Sequence, residues 1–166
     1  LAALTLGYRF GLSLKVMTQA AIDFKGLEHR LEFVSTINDI DYYNDSKSTN
    51  AISTITAINA LFEKYNNLTL IVGGVSKKED YSEFFKLINQ KVRVVVLIGE
   101  CRDDFLKQIT CPHVQVVESM KKAVSIATLM SESGAVLLSP GCASFDMFID
   151  FNDRGEAFKR FVLEET

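Results

Sequence analysis

The chain has 166 residues, enough for one domain with a real core, and its 48% hydrophobic and 23% charged residues are the balance of an ordinary globular protein. A net charge of −3 and a pI near 5.4 exclude the basic face that nucleic-acid binding needs. No apolar run approaches the roughly 20 residues that span a bilayer, and the N-terminus has neither the basic region nor the cleavage site of a signal peptide, so a cytoplasmic protein with no membrane partner is expected.

In chain order, Leu1 to Phe10 is apolar and rich in helix formers, and Gly11 is placed to end a first helix. Ser13 can cap a second, running through Leu14, Val16, Met17, Ala20, Ala21 and Phe24, with Gly26 closing it. Two such helices cannot bury their apolar faces on each other alone. Residues 1–25 therefore read as the tail of a preceding domain, and a start at Leu1 without Met reads as a cut through a longer protein. From Arg30 the pattern alternates, with Leu31, Phe33 and Ser35 against Glu32, Val34 and Thr36. Asn38-Asp39 then turns the chain into Ile40-Asp41-Tyr42-Tyr43, a β-hairpin. A long helix follows from about Thr49 to Tyr65, with Ile52, Ile55, Ile58, Leu61 and Phe62 on one face.

The remainder repeats a strand-then-helix unit. Strands are predicted at Leu68–Val72, Val92–Ile98, Val114–Val117 and Ala135–Leu138, and helices at Asp80–Gln90, Cys101–Ile109, Met120–Met130 behind Ser119, and Asp153–Glu165. Apolar runs in place of alternating ones mean strands buried on both faces. The expected fold is α/β: a Rossmann-like, doubly wound, mostly parallel sheet with an N-terminal β-hairpin and helices on both faces.

In such a sheet, ligands collect at the carboxyl ends of the strands. Four segments fall there: 45–50, 73–78, 99–100 and 139–144. Asp45 to Asn50 offers a carboxylate, a cation and hydroxyls before a helix, and Gly73 to Lys78 pairs flexible backbone with two ammonium groups. Ser139 to Ser144 offers small residues and backbone N–H groups beside an expected helix start, a setting that favours anions. Taken singly, Gly73-Gly74 reads as a plain turn, Thr49, Asn50 and Ser144 as helix caps, and Lys77 and Lys78 as solvated charges. Together they describe a pocket for a small, polar, negatively charged ligand.

Several chemistries lack their residues. There is no G-x-x-x-x-G-K-[ST] phosphate loop, no G-x-G-x-x-G fingerprint and no G-x-S-x-G elbow. His29 and His113 stand far apart without partners at ligand spacing, so no metal site is expected. Cys101, Cys111 and Cys142 are too few and too scattered for a disulfide framework, and read as small buried apolar residues.

Five stretches occur in a telling order: Gly26-Leu27-Glu28-His29-Arg30-Leu31-Glu32; Asn44-Asp45-Ser46-Lys47-Ser48-Thr49-Asn50; Gly73-Gly74; Leu138 to Asp146; and Phe151-Asn152-Asp153-Arg154-Gly155-Glu156-Ala157-Phe158. This series resembles the C-terminal part of the Mur ligases, with residues 1–25 resembling the last helices of the central, ATP-binding domain and 26–166 the amino-acid-binding domain. Sister ligases differ at Asp45-Ser46-Lys47-Ser48-Thr49-Asn50, so that loop favours the D-glutamate-adding branch.

The resemblance implies an ATP-dependent ligase of peptidoglycan precursor synthesis, acting through an acyl phosphate on UDP-N-acetylmuramoyl-L-alanine that the amine of D-glutamate attacks. ATP and Mg would be bound mainly by the central domain, and an N-terminal domain would hold the UDP-sugar. Both domains are implied as partners within the same protein, which is expected to be a monomer. By the same resemblance, Arg30 and Asp45, with His29 beside them, are nucleotide contacts. Lys47 joins Arg30 and Asp45 as catalytic, and Thr49, Lys77, Ser144 and Phe151 with Lys47 form the D-glutamate site. His29 fits equally a packing role beside the hinge expected near residues 24–30. The competing readings are a sister Mur or folylpolyglutamate synthase-like ligase, and a non-catalytic α/β binding domain.

Overall fold

A computed structural model describes residues 2–165. Helices α1 (Ala2–Arg9) and α2 (Leu14–Asp23) are joined by a turn in which Gly11 takes φ +78, and Ser13 Oγ accepts the Val16 N–H at 3.3 Å to start α2. They pack on each other, yet of their residues only Met17 is buried, and neither core cluster includes any of them. Tyr8, Phe10, Leu14, Ile22 and Phe24 remain exposed.

A hairpin follows, β1 (Glu32–Ile37) and β2 (Ile40–Asn44), closed by Asn38 and Asp39 at φ 50 and 62, the mirror-image turn that suits twisted strands. The regular alternation expected for β1 does not hold. The pairing shifts between Phe33 and Ser35, a bulge that leaves Phe33 exposed, edge-on to Tyr43 at 5.7 Å, while Val34 and Ile37 join the core.

The rest alternates as expected: α3 (Ala51–Phe62), β3 (Leu68–Gly73), α4 (Ser82–Lys91), β4 (Val94–Ile98), α5 (Arg102–Leu106), β5 (His113–Val116), α6 (Met120–Met130), β6 (Gly134–Leu138) and α7 (Phe151–Glu164). The strands form one sheet in the order β1-β2-β6-β3-β4-β5, parallel throughout except for β1 against β2. Every residue of β3 and β4 is buried, as a central parallel strand requires, and each branched side chain so placed contributes about 1.5–3 kcal/mol. One core holds Ala57, Ile58 and Leu61 of α3, Phe84 and Ile88 of α4 and Phe105 of α5. The other holds Ala123, Val124 and Ala127 of α6 with Ala157, Phe158 and Val162 of α7. The doubly wound architecture stands, and among the described residues no helix is long and apolar enough to cross a membrane.

One expected feature is absent. No helix starts beside Ser144. The Asp146 carboxylate instead accepts the Glu100 N–H at 2.7 Å, drawing the chain across the end of β4, and α7 begins only at Phe151, where Asp150 accepts the Asp153 N–H at 2.8 Å. Ser144 C=O closes a lone turn with the Met147 and Phe148 N–H groups.

Candidate functional site: a polar edge at the carboxyl ends of the strands

The strand order puts β6 between β2 and β3, so the loop after β6 is flanked by the loops after the other two. Asp45 N–H donates to Leu138 C=O at 2.8 Å, Gly73 N–H to Pro140 C=O at 2.9 Å, and Gly141 N–H to Ser48 C=O at 2.9 Å. Val75 and Ala143 exchange both backbone bonds. That close approach explains Gly74: at φ +136, a Cβ there would lie 2.2 Å from Ala143 O.

Buried polar side chains concentrate on this edge. His29, Asn44, Asp45, Ser46, Ser48, Thr54, Ser139, Ser144 and Arg154 are all below a tenth exposed, and among the described residues no buried side-chain nitrogen or oxygen lacks a partner. Asp45 lies at the centre. Its carboxylate accepts from Ser48 Oγ at 2.5 Å, Ser139 Oγ at 2.7 Å and the Leu31 N–H at 3.1 Å. Burial pushes its pKa above the ordinary carboxylate value, against the downward pull of those donors and of the Arg30 charge.

Around this network stand three exposed cations. Arg30 and Lys47 line a cleft of about 270 Å³ with Asp45, Ser48 and the small α3 side chains Ser53, Thr56 and Ala57. Lys47 Nζ rests 4.3 Å above the Phe151 ring, and Ser46 Oγ donates to Phe151 C=O at 2.7 Å. Lys77 Nζ donates to Thr49 Oγ1 at 3.1 Å. Among the described residues none of the three pairs with a carboxylate within 4 Å. An edge of this kind, with cations over a saturated polar floor, suits an anionic ligand.

The candidate residues thus fall into groups. Arg30, Asp45 and Lys47 share the cleft, with Phe151 tied to it through Lys47. Thr49 and Lys77 meet at the start of α3, and Ser144 is buried in the adjoining turn. His29 stands apart from the cleft, buried at φ 60, with Nδ1 2.9 Å from Asn44 Nδ2 and the Gly155 backbone beneath its ring.

The sequence profile described as "Mur ligase, glutamate ligase domain" matches residues 29–142. The chain belongs to the Mur ligase family. It is 41% identical over 170 residues to the UDP-N-acetylmuramoylalanine–D-glutamate ligase of Caldanaerobacter subterraneus subsp. tengcongensis, a match covering 99% of this chain and 37% of the relative. The Nitrosococcus oceani protein of the same name is 43% identical over 166 residues, covering 99% and 36%. The chain therefore spans little more than a third of these relatives' length. Among solved structures it superimposes on MurF from Acinetobacter baumannii with a TM-score of 0.74 at 16% identity, covering 98% of this chain and 36% of that one. Folylpolyglutamate synthase from Mycobacterium tuberculosis gives 0.67 at 14% identity, covering 96% and 38%.

Within this Mur ligase domain, Arg154 stands among the edge residues that had no role read from the sequence. Arg154 is 1% exposed. Its Nε donates to Ser46 Oγ at 3.0 Å, Nη2 to Ser46 C=O at 2.8 Å and Nη1 to Cys142 C=O at 3.1 Å, so one guanidinium ties the loops after β2 and β6 together. Burial pulls its pKa down to about 10, which leaves it charged at neutral pH. The signals were its place in the Phe151–Phe158 stretch and an Arg inside an otherwise apolar face of α7. All three cysteines are buried, as expected of small core residues, but Cys101 and Cys142 come within 3.6 Å of each other, a long-range contact invisible in their spacing. Glu28, His29 and Glu156 gather potential ligand atoms within 4.8 Å, and the Lys159 ammonium sits on both carboxylates at 2.8 and 2.7 Å, making an ion-pair network of the cluster.

Proposed function

We propose that this chain is the amino-acid-binding, C-terminal part of a cytoplasmic, ATP-dependent ligase that joins D-glutamate to UDP-N-acetylmuramoyl-L-alanine. The observation that carries the reading is the Asn44–Asn50 loop: it sets Lys47 over Phe151 and Thr49 against Lys77 at the ends of the strands. The two relatives named as D-glutamate ligases, matched over nearly the whole chain, support that choice of amino acid. Residues 1–25 are then the end of the preceding ATP-binding domain, whose surface would cover the apolar side chains that α1 and α2 leave exposed.

In this reading Lys77 and Thr49 hold the side-chain carboxylate of D-glutamate, with Lys47, Phe151 and Ser144 shaping the rest of the subsite. Arg30 and Asp45 lie toward the nucleotide with His29 beside them, and the Arg30 guanidinium fork stabilises charge on the transferred phosphoryl group. Magnesium fits this chain less well. The one carboxylate of the cleft, Asp45, already accepts from two hydroxyls and an N–H, so the ion's ligands are assigned to the preceding domain.

The test is Lys77→Ala in the full-length enzyme. Loss of a charge-assisted bond worth about 1.5–3 kcal/mol lowers kcat/KM for D-glutamate by roughly ten- to a hundredfold. An unchanged value would remove Lys77 from the subsite. A second reading, a sister ligase, draws on the structural likeness to folylpolyglutamate synthase. It would displace the first if the full-length enzyme preferred L-glutamate, L-alanine or a diamino acid.

A further inference from the structure

The loop from Gly74 to Asp80 carries Lys77 but has no helix or strand of its own, and Lys78 within it takes the left-handed φ of 55. Before Lys77 it is fixed by the Val75–Ala143 bridge, and the Lys78 N–H donates to Ser76 Oγ at 3.2 Å within the loop itself. After Lys77 the loop is tied at Glu79, whose Oε1 accepts the Ala51 N–H at 2.9 Å, and it ends at the buried Tyr81, whose hydroxyl donates to Gly141 C=O at 3.2 Å; of the two, only the Glu79 bond joins the loop to α3. Ala51 is the first residue of α3, two positions beyond Thr49, and Asn50 Oδ1 takes the Ser53 N–H at 2.9 Å. The protein's own groups therefore occupy the N-terminus of α3, and Lys77 with the Thr49 hydroxyl is what the edge still offers an incoming carboxylate at this point.

We propose that Glu79 is a positioning residue for the amino-acid subsite: seated on the Ala51 N–H, its carboxylate fixes the loop so that the Lys77 ammonium stands at Thr49. The inference rests on the D-glutamate reading of that subsite. A carboxylate suits the place because the unpaired N–H groups and the dipole of a helix start favour negative charge. A loop lacking that tie can still fold, but it holds Lys77 in many positions, and ordering it then falls to the substrate.

The experiment is a kinetic cycle in the full-length ligase with Glu79→Ala, Glu79→Gln, Lys77→Ala and the Glu79→Ala/Lys77→Ala double variant, each checked for an unchanged thermal unfolding midpoint. Glu79→Ala raises the KM for D-glutamate roughly two- to fivefold, the size of one carboxylate at a helix start, with the change falling on KM rather than kcat and sparing the KM for ATP. Glu79→Gln, which keeps the acceptor, restores most of the loss. In the Lys77→Ala background, Glu79→Ala adds nothing, because its effect runs through the missing ammonium. Should Lys77→Ala weaken D-glutamate use while Glu79→Ala does not, or the two effects multiply, the positioning role is overturned and the subsite stands. Should Lys77→Ala itself have no effect, subsite and positioning role fall together.

Discussion

Asp45 lies at the floor of the cleft with both carboxylate oxygens engaged, and burial raises its pKa above the ordinary 3.8. Below that value the folded and unfolded chains are both protonated, and its contribution to stability is at its fullest. As the pH rises the unfolded chain gives up its proton first, and the native state loses ground until Asp45 itself ionises. The stability of the parent relative to Asp45→Asn should therefore fall as the pH rises through and above the ordinary carboxylate range, as read by urea unfolding; parallel curves would contradict it. Arg154 presents the opposite case, a buried charge held by carbonyl and hydroxyl oxygens with no carboxylate hydrogen-bonded to it. Arg154→Met leaves the Ser46 and Cys142 carbonyls without those donors and should cost about 3–5 kcal/mol in the same measurement, with Arg154→Lys intermediate. Of these residues, Asp45, Lys47, Thr49 and Lys77 could be placed at the carboxyl edge from the sequence because each follows a predicted strand. Arg154 could not be, since the oxygens it binds come from loops 12 and 108 positions away.

At the scale of elements, the reading succeeded where a single physical signal dominated. Val94–Ile98 is a run of branched residues that only a strand buried on both faces accommodates, and Ser119, Asn50 and Ser13 each cap the helix they precede. It went astray where a distant partner decided. The β1 bulge follows from pairing with β2, and the missing helix after Ser144 from the Asp146 bond to Glu100 across the sheet edge. Helices α1 and α2, expected from their surplus of apolar residues to belong to a preceding domain, contribute no residue to either core. Deleting residues 1–25 should leave the unfolding free energy within about 0.5 kcal/mol of the intact chain. It should also reduce the binding of an apolar fluorescent dye. A collapse in stability would show that the helices belong to this domain.

For the molecule as a whole, every cation proposed to meet substrate stands at one edge, and the phosphate-loop sequence is missing from the chain. Incubated alone with ATP, magnesium, D-glutamate and UDP-N-acetylmuramoyl-L-alanine, these 166 residues should release no phosphate above background. Measurable turnover would overturn the reading of the chain as half of an active site. The sheet order was the least legible property at this scale. Strand periodicity identifies β6 but does not say that it slots between β2 and β3, where it brings three loops into contact.

The hairpin of β1 and β2 has one more effect. Because β1 runs against its neighbour, the chain leaves the carboxyl edge at Glu32 and comes back to it at Asn44, so the segment that joins α2 to the sheet ends beside the loop it later forms. His29 C=O takes the Lys47 N–H at 3.0 Å across that gap. Gly26, at φ +90 and with room for a Cβ, lies only three residues earlier. The same short segment also meets the loop through the Leu31 N–H on the Asp45 carboxylate and through the Asn44 side chain between His29 and Glu32, so its path and the position of Lys47 are set together.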